Sequence, residues 1–228
     1  MCGRFVRYTS WADLKKALSV LTGAELLASE LRPSYKVAPT QQVLVAREHE
    51  GKREAVIMRW GLIPSWAKHK RMAQINARAD TAAVKPMFRS AFKKRRCLIV
   101  ADGYFEWRKL NAKTKQPFLY QMKSGKPFVF AGLWESWKGE GEDEPIQSCA
   151  ILTTDANELA SKVHDRMPVI LQGEDAAAWI DPGVEDAKSL VPLLRPFPAD
   201  KMIAVPVSTR VNKVGENDAS CIEPIAKG

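Results

Sequence analysis

The sequence predicts an α+β fold: a single domain over residues 1–228 with a mostly antiparallel, barrel-like β core and peripheral helices. Strand-like runs outnumber helix-like runs, and the two kinds do not alternate as they would around a doubly wound parallel sheet. Short turn signals separate several of the strand-like runs, which is typical of antiparallel neighbours. No linker, internal repeat or low-complexity stretch divides the chain.

Runs rich in β-branched and aromatic residues predict the strands of this core. They cover 42–47, 54–60, 96–101, 105–109, 117–122, 127–134, 147–154, 168–171 and 202–207. Turn residues at Gly51, at 111–114 and at Ser124-Gly125 lie between such runs and predict hairpins. The acidic segment around Gly139 and Gly141 predicts an exposed loop.

Helical signals are fewer and mostly short. Ser10 and Asp13 have the spacing of a capping box, and an amphipathic pattern continues from them to about Leu21. This pattern predicts the first helix. Further helices are predicted at 24–31, 86–93, 157–163, 174–180 and 184–194.

The composition is that of an ordinary globular protein, with 46% hydrophobic and 27% charged residues. No apolar run approaches the length that spans a bilayer, and no signal segment is visible, so we expect a soluble cytoplasmic protein. The net charge of +9 suits a phosphate-bearing partner but does not identify one. Basic residues are concentrated between positions 68 and 96. No heptad pattern is present, so we expect a monomer.

The cysteines and histidines do not have the spacing of a metal site. The four cysteines, Cys2, Cys97, Cys149 and Cys221, form no CxxC pair. The three histidines show neither HxxxH nor HExxH spacing. We therefore expect no metal and no cofactor, and we expect Cys97 and Cys149 to be buried, inert thiols in strands.

Cys2 is the residue with the clearest chemical potential. A small side chain at position 2 permits removal of Met1, after which Cys2 would carry a free α-amine. An amine with a pKa of about 8 would then lie beside a thiol with a pKa of about 8.5. Such a 1,2-aminothiol can attack an acyl carbon through sulfur, or capture an aldehyde as an imine that closes to a thiazolidine. A cysteine near the start of a chain also occurs by chance.

Three further segments combine residues that could carry chemistry. Asn76 and Arg78 would share a face of an extended segment, where an amide and a guanidinium can hold a sugar and a phosphate. Glu106 lies between two aromatic residues, where desolvation would raise its pKa and allow acid and base roles. His164 and Arg166 precede an apolar strand and could transfer protons and bind phosphate. Each segment could instead be an ordinary turn or strand with solvated charges.

A loop with two tryptophans, Trp60 and Trp66, offers indoles that could stack on nucleic-acid bases. Tryptophans in loops can also seal the edge of a core, and we expect this of Trp60 more than of Trp66. The rigid segment from Tyr35 to Pro39 has no obvious chemistry of its own.

Taken together, these segments resemble the SOS response-associated peptidase (SRAP) family over essentially the whole chain. The matching segments, in the family's order, are 1–5, 35–39, 60–66, 76–78, 101–107 and 164–166, with a similar tail from 206 to 224. A single motif would be weak, but six in order are specific.

The resemblance implies that the protein senses abasic (AP) sites in single-stranded DNA and shields them during the DNA damage response. Cys2 would form an imine with the C1′ aldehyde of the opened sugar and then a thiazolidine. Glu106 matches the family's acid/base carboxylate, His164 an imidazole that donates a proton for ring opening, and Asn76 an amide that positions the N-terminus and the sugar. Weak AP-lyase activity and self-processing peptidase activity that exposes Cys2 are also implied.

The resemblance also implies a DNA-binding surface. Arg4, Arg78 and Arg166 match positions near backbone phosphates, while Trp66 and Pro39 match residues that line the DNA channel. A protein of this kind would associate with the bacterial nucleoid when it is on DNA.

The sequence departs from the family pattern at four positions near these motifs. Lys36 replaces an asparagine, Asp80 a glutamate, Ala67 the second tryptophan of the loop, and Pro86 a phosphate-contacting arginine. The four catalytic positions are intact, so the departures concern base stacking and phosphate contacts.

Two other functions remain open from the residues. An N-terminal-cysteine glutamine amidotransferase would also begin with Cys-Gly, and it would turn over free glutamine. A non-catalytic nucleic-acid-binding domain would retain all its effects on DNA after Cys2→Ala.

Overall fold

The computed structural model describes residues 2–21, 24–26 and 32–225, and these residues form two sheets with short helices. The strands are β1 (Phe5–Arg7), β2 (Glu25–Leu26), β3 (Ser34–Val37), β4 (Gln42–His49), β5 (Lys52–Trp60), β6 (Asn76–Arg78), β7 (Arg96–Ala101), β8 (Gly103–Lys109), β9 (Lys115–Met122), β10 (Phe128–Trp137), β11 (Ile146–Asp155), β12 (Arg166–Pro168), β13 (Ile170–Leu171) and β14 (Met202–Pro206). The α-helices are α1 (Trp11–Ala17), α2 (Ala79–Ala82), α3 (Arg89–Lys94), α4 (Gly173–Ile180) and α5 (Ala187–Leu190).

The larger sheet forms a closed ring in its centre. Its strand order is β12-β11-β10-β7-β4-β5-β2, with β13 paired to β10 and β6 paired to β11. Strand β11 also pairs in parallel with β5, with Ser148 opposite Arg59 and Cys149 opposite Trp60. This pairing joins the two ends of the path β5-β4-β7-β10-β11, and it confirms the predicted barrel-like core.

The smaller sheet has the order β14-β9-β8-β1-β3, and all its pairings are antiparallel. One face packs on the barrel through aromatic contacts, such as that of Phe5 with Trp60 at 5.1 Å between ring centroids. The other face carries a separate small cluster around Phe105 and Leu119. Consecutive residues of β8 therefore point either between the two sheets or away from the barrel.

The helices cover the other face of the barrel strands, as the sequence predicts. Leu14 of α1, Phe92 of α3 and Trp179 of α4 pack with the barrel side chains in one buried cluster. The Trp179 indole Nε1 donates to the backbone carbonyl of Cys97 at 3.1 Å. Since both faces of the barrel strands are covered, every residue of β7 is buried. None of the described helices is long and apolar enough to cross a bilayer.

Several predicted helices are shorter than expected or absent. Residues 24–26 belong to a coil and to β2, and the rest of the predicted helix 24–31 lies outside the described residues. In the predicted helix 157–163 only a 3₁₀ turn, Ala160–Lys162, forms. The Asn157 side chain explains this, because its Oδ1 accepts from the Ala160 amide and its Nδ2 donates to the Phe197 carbonyl. The predicted helix 184–194 is reduced to α5 and a 3₁₀ turn at Val191–Leu193.

Two of the three predicted hairpin turns are confirmed. Gly51 joins β4 to β5, and residues 111–114 join β8 to β9. The turn at Ser124-Gly125 exists, but it connects β9 to β10, which belong to different sheets. The prediction of a hairpin there was wrong, because a local turn signal does not determine the partner of the strand that follows.

Candidate active site

Cys2 lies at the start of the chain segment that enters β1, between the two sheets. Phe5 pairs with Tyr104 and Val6 with Gly103, and this antiparallel register, continued by two residues, brings Gly3 opposite Glu106. The backbone amide of Phe105 donates to the Arg4 carbonyl at 2.9 Å. The pairing of β1 with β8 therefore places Cys2 beside Glu106.

Asp102 holds the other end of β1 in place. Its buried carboxylate accepts from the backbone amides of Tyr8 and Thr9, at 2.6 and 3.0 Å, and from the Thr9 hydroxyl at 2.5 Å. A carboxylate that receives three hydrogen bonds anchors a segment firmly. Asp102 thus stabilises the register on which the position of Cys2 depends.

The Cys2 side chain is fully buried. Its thiol donates to the Arg4 carbonyl oxygen at 3.7 Å. Burial raises the pKa of the Cys2 thiol, and the negative charge of Glu106 raises this pKa further. The thiol is therefore protonated at neutral pH.

Asn76 is held against Cys2 by the barrel. Strand β6 runs parallel to β11, with Asn76 opposite Ile151. From there the Asn76 Nδ2 donates to the Cys2 carbonyl oxygen at 2.9 Å. The structure thus brings together two predicted site residues from different sheets. Asn76 binds the carbonyl oxygen of Cys2 and not its backbone nitrogen.

Glu106 points between the two sheets and is only 5% exposed. Burial raises the pKa of its carboxyl group, and the nearby His164 opposes this effect when the imidazole is charged. Glu106 is therefore close enough to both Cys2 and His164 to interact with them electrostatically. A carboxyl group with a raised pKa can serve as an acid as well as a base.

His164 lies in the segment between the 3₁₀ turn Ala160–Lys162 and β12. The backbone amide of Arg166 donates to its Nδ1 at 3.0 Å, and the exposed Asp165 carboxylate lies 2.7 Å from the same nitrogen. The amide contact suits an unprotonated Nδ1, whereas the carboxylate contact suits a protonated Nδ1, so the two contacts fit different protonation states of the ring. When the half-buried ring is protonated on both nitrogens, Nε2 carries a proton that it can donate.

The three arginines predicted to contact phosphates are placed differently. Arg78 is 53% exposed and forms a bidentate pair with Asp80, at 3.1 and 2.6 Å, which lowers the pKa of Asp80 to about 2. Arg166 is buried, and its guanidinium donates to the Thr153 carbonyl and to Asp155. Arg4 lies over the Trp107 ring, 5.1 Å from its centroid. Arg78 is therefore the most exposed of the three arginines.

Trp66 and Pro39 lie on turns around the barrel rim. Trp66 is 55% exposed, on the segment that joins β5 to β6 and so leads to Asn76. The adjacent Ala67 is buried, and its carbonyl accepts from the Trp137 indole at 2.7 Å, which fixes the loop. Pro39 is half-buried in the turn before β4, whereas Trp60 is fully buried, as expected of an indole that seals the core.

Two other departures from the family pattern are Lys36 and Pro86. Lys36 is buried, and its Nζ donates to the Lys213 carbonyl, which connects β3 to the C-terminal segment. Pro86 is exposed ahead of α3.

Cys97 and Cys149 are buried in β7 and β11 as predicted.

Further residues lie at the site to which the sequence motifs assign no role. Tyr104 and Tyr120 are fully buried between the sheets beside Glu106, and Asp102 anchors β1 as described above. The signal available in the sequence was the two-residue spacing of Tyr104 and Glu106, which puts them on one face of a strand. Among the described residues, no cluster of three or more His, Cys, Asp or Glu side chains could hold a metal ion.

Comparison with known proteins identifies the family of the chain. The family model described as "SOS response associated peptidase (SRAP)" matches residues 1–214. The "Abasic site processing protein YoqW" of Bacillus subtilis is 41% identical over 98% of this chain and 99% of its own. The "Abasic site processing protein HMCES" of Gallus gallus is 29% identical over 100% of this chain and 79% of its own.

Solved structures are also similar to this chain over most of its length. A crystal structure of a protein from Bacteroides thetaiotaomicron superimposes with a TM-score of 0.83 at 29% identity, covering 97% of this chain and 100% of its own. One from Bordetella bronchiseptica gives a TM-score of 0.75 at 26% identity, covering 91% of this chain and 100% of its own. The chain therefore belongs to the SOS response-associated peptidase (SRAP) family.

Proposed function

We propose that the protein senses abasic sites in single-stranded DNA and bonds to them covalently through Cys2. The observation that carries this proposal is the hydrogen bond from Asn76 to the Cys2 carbonyl, beside the buried carboxyl group of Glu106. Relatives that are 39–41% identical over nearly the whole chain bear the name abasic site processing protein, which supports the same lesion as substrate.

The reaction requires that Met1 be removed, so that Cys2 carries an α-amine. The amine adds to the C1′ aldehyde of the opened sugar and water leaves, which gives an imine. The Cys2 sulfur then adds to the imine carbon, the thiol proton passes to nitrogen, and a thiazolidine ring results. Because Asn76 holds the carbonyl of Cys2, the residue keeps its position when Met1 is gone.

Glu106 and His164 supply the proton transfers in this proposal. Opening of the sugar ring needs a proton on the departing ring oxygen, and His164 can donate one from Nε2 when its imidazole is protonated on both nitrogens. Imine formation needs a base for the amine and an acid for the departing water. The raised pKa of the buried Glu106 carboxyl group suits both roles.

The remaining activities follow from the same chemistry. An open imine permits β-elimination and strand cleavage, so weak AP-lyase activity accompanies the crosslink, and ring closure competes with it. Exposure of Cys2 requires hydrolysis of the Met1–Cys2 bond, either by the chain itself or by an aminopeptidase. Intact masses decide between them: if Glu106→Gln retains Met1 while the wild type does not, the chain processes itself.

The surface around the site favours a single strand as partner. The exposed Trp66 offers a face on which an unpaired base can stack, and Arg78 offers an accessible guanidinium for a phosphate. The excess of basic residues adds a sequence-independent attraction to DNA. We propose a monomer bound to one strand.

A denaturing gel tests the proposed function directly. Fully trimmed protein is incubated with a single-stranded oligonucleotide that carries one abasic site, and the expected result is a shifted band that survives denaturant. The band should disappear with Cys2→Ala and with an abasic site whose aldehyde has been reduced to an alcohol. Cys221→Ala is the matched control, because Cys221 is equally buried but lies in the cluster around Phe105. A trimmed wild type that gives no band refutes the proposal.

A further inference from the structure

Two fully buried tyrosines lie in the wall of the site, and the proposed reaction does not yet use them. Tyr104 on β8 and Tyr120 on β9 are direct cross-strand neighbours. Their rings stack with centroids 4.9 Å apart and an interplanar angle of 10°. The chain has four tyrosines, and the other two, Tyr8 and Tyr35, form a second stacked pair in the cluster on the opposite face of the sheet.

The hydroxyl groups of Tyr104 and Tyr120 are buried, and no group in the described part of the chain hydrogen-bonds either of them. The Tyr8 hydroxyl, in contrast, accepts from Gln121 at 3.2 Å. A buried hydroxyl without a partner destabilises a protein, so phenylalanine would serve better if only packing mattered. The same cluster does use Phe128 and Phe130 at neighbouring positions.

The two hydroxyls lie beside the groups that the proposed reaction uses. Tyr104 and Glu106 are two residues apart on β8, so their side chains share the face that points to the barrel. Cys2 belongs to the same buried cluster as both tyrosines. Burial raises the pKa of each phenol, and the negative charge of Glu106 raises both further. Both hydroxyls are therefore neutral and can donate or accept a hydrogen bond.

We infer that the Tyr104 and Tyr120 hydroxyls bind the ring-opened sugar of the lesion by hydrogen-bonding the hydroxyl group that opening creates at C4′. This inference rests on the proposed function, and it identifies the part of the substrate that these residues recognise. When Cys2 captures C1′, the former ring oxygen becomes a free hydroxyl that must enter a site lined by buried side chains. A pair of neutral phenols supplies both a donor and an acceptor for it.

The inference predicts discrimination between aldehydes. An abasic sugar would gain the tyrosine contacts, whereas a simple alkyl aldehyde in the same strand, which lacks the C4′ oxygen, would not. A site built to hydrogen-bond a substrate hydroxyl discriminates strongly against an analogue without it. Tyr104 and Tyr120 would thus restrict the crosslink to the sugar lesion.

The test compares Tyr104→Phe, Tyr120→Phe and the double variant with the wild type, using single-turnover crosslinking at saturating DNA. One oligonucleotide carries an abasic site, and the other carries an alkyl aldehyde without the C4′ oxygen. We expect the double variant to crosslink the abasic site more slowly by a factor on the order of ten, with an unchanged rate on the alkyl aldehyde. Its Tm should equal or exceed that of the wild type. Tyr8→Phe is the matched control, and its rates on both substrates should be unchanged.

An unchanged rate on the abasic site overturns the inference, as does an equal loss on both aldehydes. A lower Tm in the Phe variants also overturns it, because the hydroxyls would then serve the fold of the free protein. These outcomes are distinct from failure of the proposed function, in which the wild type itself forms no crosslink.

Discussion

Replacement of Asn76 by alanine removes the hydrogen bond from its Nδ2 to the Cys2 carbonyl oxygen, at 2.9 Å. A hydrogen bond of this kind contributes about 0.5–1.5 kcal/mol net. In the proposed reaction this bond keeps Cys2 where its amine reaches C1′. Since about 1.4 kcal/mol corresponds to a factor of ten in rate, the rate constant for crosslinking should fall about two- to tenfold.

Single-turnover kinetics measure this effect. Trimmed protein in excess is mixed with abasic single-stranded DNA, samples are quenched in denaturant, and the crosslinked fraction is followed on a gel. Gln116→Ala is the matched control. Its amide also donates to backbone carbonyls at 2.9 Å, those of Pro117 and Val207, but the contact joins β9 to the C-terminal segment. The control should lose stability without a change in the crosslinking rate.

Two results would refute the positioning role of Asn76. An unchanged rate would mean that the bond to Cys2 does not contribute to the reaction. A fall of more than about a hundredfold lies in the range of a group that transfers protons, so Asn76 would then act on the reacting atoms themselves.

Four further changes have expected outcomes. Asp80→Asn releases Arg78 from its carboxylate, so undamaged single-stranded DNA should bind up to about fivefold more tightly in low salt, by fluorescence anisotropy. Glu106→Gln removes a buried carboxyl group whose pKa is raised in the folded protein. The wild type loses stability as the pH rises, because this buried group then becomes charged. The Tm of the variant should therefore exceed that of the wild type at about pH 8 and equal it at about pH 4. Trp66→Ala should weaken DNA binding by about 1–3 kcal/mol in the same anisotropy assay and leave Tm unchanged. Asp102→Ala breaks three hydrogen bonds and should cost about 3 kcal/mol or more in urea unfolding.

The barrel could be predicted from the sequence because its strands are long and apolar. Strand β7 is buried along its whole length, and its predicted bounds are those observed. Strands β1 and β3 were not predicted, since each has only three or four residues and is defined by its partners. Local pattern carries little information about such strands.

The site was only partly predictable. Its residue types follow from the family resemblance, but the contact between Asn76 and Cys2 joins residues 74 positions apart, on two sheets. Spacing in the sequence cannot reveal such a contact. Similarly, Arg166 has the residue type of a phosphate ligand, but its hydrogen bonds to Asp155 and Thr153 depend on the pairing of β12 with β11.

The order of the two nucleophiles follows from their environments. Burial and the charge of Glu106 raise the pKa of the Cys2 thiol, so the sulfur is a poor first nucleophile at neutral pH. The unperturbed pKa of an α-amine is about 8, so such an amine is partly unprotonated at neutral pH. In the proposed reaction the amine therefore attacks first, and the thiol then closes the ring as its proton passes to the nitrogen, a transfer that Glu106 can relay. A glutamine amidotransferase would need the reverse, a ready thiolate that attacks first, and the buried thiol disfavours that reaction.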